Sequence, residues 1–275
     1  MPGDSDAKPV PFDEFNYRAM IPREKMMKDS ETAQLMLDQN THPWLGPGRA
    51  IVAYPIASGK LFNLAISVPR ASDAPVANWN QPGDVEEFRS TFTDFSPLMR
   101  KVIDLVEDCA KWTIAEIRPL KTWASHSGKT VLLGDAAHAM SPHAAQGSAM
   151  AIEDAAVLGE CLSHFKIPEE LSAATDAYQA IRRPRVEHVQ EIARGNGDMW
   201  VMPDGTEQQA RDTRSKEMMG KYDQELKKIG REGMRAKPKP LPDMNGKWPE
   251  AAALMWLHGY DAIKEVSSTH ETSKI

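Results

Sequence analysis

Between Val131 and Ala155 the chain reads VLLGDAAHAMSPHAAQGSAMAIEDA, and here its residue types and spacing come closest to chemistry. Gly134 and Asp135 close an apolar run. A carboxylate at the carboxyl edge of a strand stands where α/β folds bind ligands, and it accepts hydrogen bonds from sugar or polyol hydroxyls. Further on, Gly147 opens a helical pattern. The first amides of such a helix have no partner inside it and carry partial positive charge, which suits an anion or an electron-rich carbonyl. Gly147, Ser148 and Ala149 are small enough for a flat ligand to lie against backbone. The plainer alternative is a strand–helix corner with a capping aspartate, and the residues alone leave both open. His138 reads as a packed corner histidine rather than as a reacting group.

Other chemistries fail on spacing. SGKT at Ser127 looks like the end of a phosphate-binding loop, but its earlier glycine position is Trp123, and a strand pattern follows instead of a helix. His138 and His143 flank a proline without helical spacing or further ligands, so no metal site is expected. No nucleophile elbow is present. The net charge of -6 argues against a nucleic-acid partner. Two cysteines, Cys109 and Cys161, are too few for a disulfide framework and point to a reducing compartment. The start MPGDSDAKPVPFDEF has no basic-then-apolar leader, and no run reaches the roughly 18 apolar residues of a membrane span. The expectation is a soluble, cytoplasmic protein without a membrane partner.

The elements that would position the corner are legible in outline. Met1 to Phe12 reads as a flexible lead-in, Phe15–Pro22 as a strand, and REKMMKDSETAQLMLDQ as helical. His42 to Pro69 carries a Gly-Pro-Gly turn, RAIVAYPI, a Ser-Gly turn and LFNLAISV, an antiparallel hairpin by its turn chemistry. One or two amphipathic helices and a further strand element, KWTIAEIRPLKTW, lead to the corner. TVLLG, uninterrupted and apolar, predicts a strand buried on both faces, at Val131–Leu133. Strong helices follow over GSAMAIEDAAVLGECLSHF and from Glu169 to Trp200, the latter interrupted at Pro184. From Pro203 to Pro249 the chain is polar, with 11 Lys+Arg against 8 Asp+Glu and a KPKPLP core, which reads as an extended tail. A closing amphipathic helix, EAAALMWLHGYDAIKEV, could dock back.

The corner, GDAAHAMSPHAAQGSAMAIEDA, resembles the second flavin motif of the FAD-dependent aromatic hydroxylases, the salicylate hydroxylase-like flavin monooxygenases. That motif runs G-D-A-A-H, a proline shortly after, Q-G opening a helix, then E-D-A. YRAMIP, WLGPGRAIVAYPIASGKLFNLAIS and RPLKTWASHSGKTVLLGDAAH fall in the family's order, so the resemblance spans about Phe15 to Trp200. It implies an α+β fold: an antiparallel substrate-binding sheet, the C-terminal portion of an FAD-binding domain, and a helical C-terminal half. The implied regions are 13–120 for the sheet, 121–202 for the partial FAD-binding region, and 203–275 for the polar tail and terminal helix. It also implies FAD as cofactor, NAD(P)H as reductant, and hydroxylation of an aromatic or polyketide-like small molecule in secondary metabolism or aromatic catabolism.

Carried over by residue, Asp135 would bind the ribityl chain of FAD, Gly134 at the turn before it would belong to the same cofactor site, and Pro142 would lie near the flavin's reactive edge. Gln146, Gly147 and Ser148 would bring backbone to the pyrimidine end of the ring. Where many relatives have glycine before Q-G, this chain has Ala145. Arg18 and Tyr54 resemble an arginine and a tyrosine of the family's substrate sheet, placed to hold and hydrogen-bond an anionic or phenolic substrate. The alternative is that both are ordinary strand residues. The family's G-x-G-x-x-G turn for the FAD pyrophosphate and its middle D-G motif do not occur in these residues. Two expectations follow: a second chain or a longer gene product supplies that unit, and the isolated chain binds FAD weakly or not at all. Two non-redox alternatives stay open, a binding or scaffold remnant and a shortened enzyme performing cyclisation or isomerisation.

Overall fold

The computed structural model describes residues 8–38, 40–70, 81–164, 170–236 and 256–272. The chain divides into two compact units. A sheet unit comprises Pro11–Ala115 with Asp198–Asp204, and a helical unit comprises Met1–Val10, Glu116–Gly197 and Gly205–Ile275.

The sheet unit holds β1 (Val10–Pro22), β2 (His42–Gly46), β3 (Arg49–Ile56), β4 (Leu61–Pro69), β5 (Gln81–Pro82) and β6 (Ala110–Glu116), in the order β2-β3-β4-β1-β6-β5. The β1–β4, β4–β3, β3–β2 and β6–β5 pairs are antiparallel. Strand alternation gives the sheet two chemically different faces. In register, Tyr17–Ile66–Ile51 and Ala19–Leu64–Ala53 line the inner face. Helices α1 (Arg23–Met26), α2 (Ser30–Leu37), α3 (Val85–Thr91) and α4 (Pro97–Asp104) cover that face with Met26, Met36, Phe88, Met99, Val102 and Ile103. Each fully buried side chain of this kind stabilises by about 1.5–3 kcal/mol. The helix starts are fixed by Asp29, Asp84 and Ser96, whose side chains accept from first-turn amides. The opposite face carries Asn16–Ser67, Arg18–Ala65–Val52 and Met20–Asn63–Tyr54. The β3–β4 hairpin turns through Ala57, Ser58 and Gly59, all at positive φ.

The helical unit contains α5 (Asp135–His138), α6 (Gly147–His164), α7 (Leu171–Trp200), α8 (Thr206–Ala236) and α9 (Ala262–Thr272). Its core joins Trp123, Met150, Val157, Cys161, Tyr178, Val186 and Val189 to Leu257 and Val266. The closing segment therefore does dock back. Pro184 interrupts α7 in sequence but not in structure. Its ring faces solvent, as does Ala180, whose carbonyl loses its helical donor there, so water can take up that carbonyl.

Three expectations are corrected. Val131–Leu133 is not a strand: Val131 forms an isolated antiparallel bridge with Ala124, Leu132 N–H donates to the Trp123 carbonyl, and Leu133 is exposed. An apolar run becomes a central strand only when a ladder forms on both sides, and among the described residues only Trp123–Ser125 pairs with it. The segment after Pro203 is not extended. Thr206–Ala236 is helical, with non-helical backbone at Gly230. Its Glu, Gln, Lys, Arg and Met residues are strong helix formers whatever their polarity, so low hydrophobicity was the wrong guide. KPKPLP lies outside the described residues. The lead-in ends earlier than expected, because β1 already runs from Val10.

Candidate functional site

The corner is held from behind by a buried ionic network. Asp154, on α6, is wholly inaccessible. It accepts from the Gly134 amide at 3.0 Å, from His138 Nε2 at 2.6 Å and from Arg182 Nε at 2.8 Å. Burial pushes its carboxyl up, but the hydrogen bonds from His138, Arg182 and Gly134 more than offset this and leave it below the ordinary aspartate value. Arg182 Nη1 lies 2.7 Å from Glu153, and Arg185 clasps the same carboxylate through Nε and Nη2 at 2.8 and 2.9 Å. Arg185 also stacks on Tyr260 and Trp256 and donates to the Leu257 carbonyl, which ties the closing segment to α6 and α7. Gln190 of α7 donates to the Ile117 and Ala139 carbonyls.

Gly134 turns at φ 57°, ψ -144°, a region essentially closed to side chains, and a Cβ there would stand 3.2 Å from the Cβ of Ala151. That turn seats Asp135 beside the second turn of α6 with its carboxylate exposed, and among the described residues the carboxylate has no hydrogen-bond partner. His138 is packed, as expected: it is buried against Trp123, its Nε2 is committed to Asp154, and its Nδ1 has no partner among the described residues. Pro142 is exposed at the start of a 3-10 turn, Pro142–Ala144. Ala145 then adopts left-handed backbone, φ 52°, ψ 33°.

At the start of α6 the Gln146 side chain turns away, its Nε2 3.3 Å from His258 Nδ1, and only its carbonyl joins the helix by accepting from Met150 N–H. The amides of Gly147, Ser148 and Ala149 have no partner among the described residues. A Cβ at Gly147 would meet nothing nearer than Met140 Cγ at 4.0 Å, so the approach to those amides is open. An uncapped helix start and a carboxylate unpaired among the described residues, set on one corner, form a donor and acceptor pair suited to a flat, electron-rich ring carrying hydroxyls.

The other two expected residues lie on the sheet unit. Arg18 is exposed on β1, and its Nε donates to Asn63 Oδ1 at 3.0 Å. Tyr54 is half-buried and directly opposite Asn63, on the same face. The structure thus groups Gly134, Asp135, Pro142, Gln146, Gly147 and Ser148 at one corner, and Arg18 with Tyr54 on one sheet face. Sequence reasoning missed Asn63, Asp154 and Arg182. The last two carried a signal: an acid on the inner face of an apolar helix requires a buried cation, and the Arg-rich stretch AIRRPR begins at Ala180, within the next helical pattern.

Sheet, corner and helices together define the fold of a flavin-dependent aromatic hydroxylase. The chain matches the FAD binding domain family over residues 21–193 and belongs to it. Among curated proteins it is similar to the FAD-dependent monooxygenase OpS4 of Beauveria bassiana, with 29% identity over 99% of this chain and 59% of that protein. It is also similar to 3-hydroxybenzoate 6-hydroxylase 2 of Aquipseudomonas alcaligenes, with 31% identity over 67% of this chain and 54% of that protein. A solved salicylate hydroxylase substrate complex shares the fold at a TM-score of 0.68 and 20% identity, over 96% of this chain and 58% of that one. The chain spans between half and three-fifths of the length of these relatives. Among the described residues no helix is long and apolar enough to cross a membrane.

Proposed function

We propose that this chain forms the flavin-facing and substrate-facing parts of an FAD-dependent monooxygenase that hydroxylates an aromatic or polyketide-like small molecule, with NAD(P)H as reductant. The observation that carries this reading is the uncapped start of α6 beside the unpaired carboxylate of Asp135. These groups fit a flavin. Asp135 would accept from ribityl hydroxyls, and the 147–149 amides would donate to the pyrimidine carbonyl edge and stabilise negative charge there. Pro142 offers an apolar ring without a donor. When bound, FAD supplies the redox chemistry, taking electrons from the nicotinamide and activating oxygen. The chain's own contribution is to orient ring and substrate: Arg18 and Tyr54 present a cation and a hydroxyl for a substrate oxygen. The monooxygenase and hydroxylase among its relatives support the reaction class.

Asp135→Ala should weaken flavin binding by roughly 1–3 kcal/mol, about 5- to 150-fold, read from flavin fluorescence. Unchanged affinity would remove the corner from the site.

A further inference from the structure

We propose that Asn63 is a positioning residue that presets Arg18 to receive an oxyanion on an aromatic substrate, a role resting on the reading that the polar sheet face receives the substrate. Asn63 is 1% exposed, at the centre of that face, with Met20 and Tyr54 directly opposite on the two neighbouring strands. Arg18 stands one pair further along, opposite Ala65, and reaches diagonally back to Asn63. The orientation of the amide is fixed by chemistry. Guanidinium nitrogens only donate, so the Asn63 atom 3.0 Å from Nε is its oxygen.

Two consequences follow. Arg18's Nε is occupied, so its two terminal nitrogens remain as an end-on fork, and among the described residues neither has a hydrogen-bond partner. The Asn63 Nδ2 group and the Tyr54 hydroxyl are likewise without partners among the described residues. The face therefore presents a preset cation and a phenol within one strip of three strands, with Asn63 buried on the middle strand. An exposed arginine ordinarily loses rotamer freedom when it binds an anion. Here the bond to a buried asparagine removes part of that loss in advance. A carboxylate and a phenolate share the required chemistry.

The test is a titration of the 275-residue chain with benzoate and, separately, with 4-nitrophenolate, following the Arg18 Nε–H resonance by NMR. In the wild type at least one probe should shift that resonance, and the responding probe identifies the kind of oxyanion. Asn63→Leu should speed exchange of the Nε proton and weaken the responding probe roughly three- to tenfold. Asn63→Asp keeps the acceptor, so the Nε proton stays protected, but its charge offsets the guanidinium and anion affinity should fall further. Far-UV circular dichroism checks that both variants fold, and the near-isosteric Asn63→Asp serves if Asn63→Leu does not. No shift with either probe would overturn the proposal, as would an Nε proton in Asn63→Leu that behaves as in the wild type. If the probes titrate Arg18 while Asp135→Ala leaves flavin affinity unchanged, the flavin reading of the corner fails and the role of Asn63 stands.

Discussion

Ala145 is a left-handed residue with a side chain, at φ 52°, ψ 33°, immediately before Q-G, where the family resemblance leads one to expect glycine. A Cβ in that region costs about 1–2 kcal/mol, and part of it is returned because alanine has fewer unfolded conformations than glycine. Ala145→Gly should therefore stabilise the chain by about 0.5–1 kcal/mol in urea melts, and a loss of stability would contradict the assigned strain. Glu14 is a second residue with a readable consequence. Burial pushes its carboxyl up to about 7, with Asp198 adding and a Ser67 hydrogen bond opposing. The folded chain holds this proton more tightly than the unfolded one. Its stabilising effect is thus full below about pH 4.5 and is lost as pH rises through about 7. Glu14→Gln should remove that slope, worth at most about 3 kcal/mol, and identical pH profiles for variant and wild type would refute it. At this scale the sequence showed which positions a turn or motif demands, such as Gly134. It could not show Asn63, because an asparagine inside a strand declares a role only when register sets it beside an arginine.

The corner elements α5, α6 and α7 depend on one another through Asp154. Removing one member of a buried ion pair leaves its partner uncompensated, so Asp154→Asn should cost about 3–5 kcal/mol. The carboxyl is depressed in the fold, so this contribution is present above the ordinary aspartate value of 3.8 and disappears as pH falls through the folded value. Wild type and variant should differ most near neutrality and converge in acid, and a difference independent of pH would show that Asp154 acts without its charge. Helices and antiparallel strands were legible because their period is local. β1, β3, β4, α6 and the return of the closing segment all follow from alternation, turn chemistry or three-to-four spacing. Val131–Leu133 and α8 were misread for opposite reasons. The first is apolar enough for a central strand but pairs on one side only, and the second is too polar for a core yet rich in helix formers.

Across the whole molecule, two cores support two sets of candidate groups: the sheet unit carries Arg18, Asn63 and Tyr54, and the helical unit carries Asp135 with the start of α6. The family was legible from the corner motif, because G-D-A-A-H and Q-G carry a turn, a carboxylate and a helix start in the family's order. The network behind it was not, since its members come from distant parts of the chain and meet only on folding. Every contact assigned to the corner goes to the isoalloxazine ring or the ribityl chain. The most direct measurement is therefore a fluorescence titration of the 275-residue chain with riboflavin and with FAD, repeated with Asp135→Ala. Both flavins should bind weakly, with affinities within about tenfold of each other, and the variant should weaken both alike, by about 5- to 150-fold. FAD binding that is tight and far exceeds that of riboflavin, or binding that ignores the loss of Asp135, would contradict this.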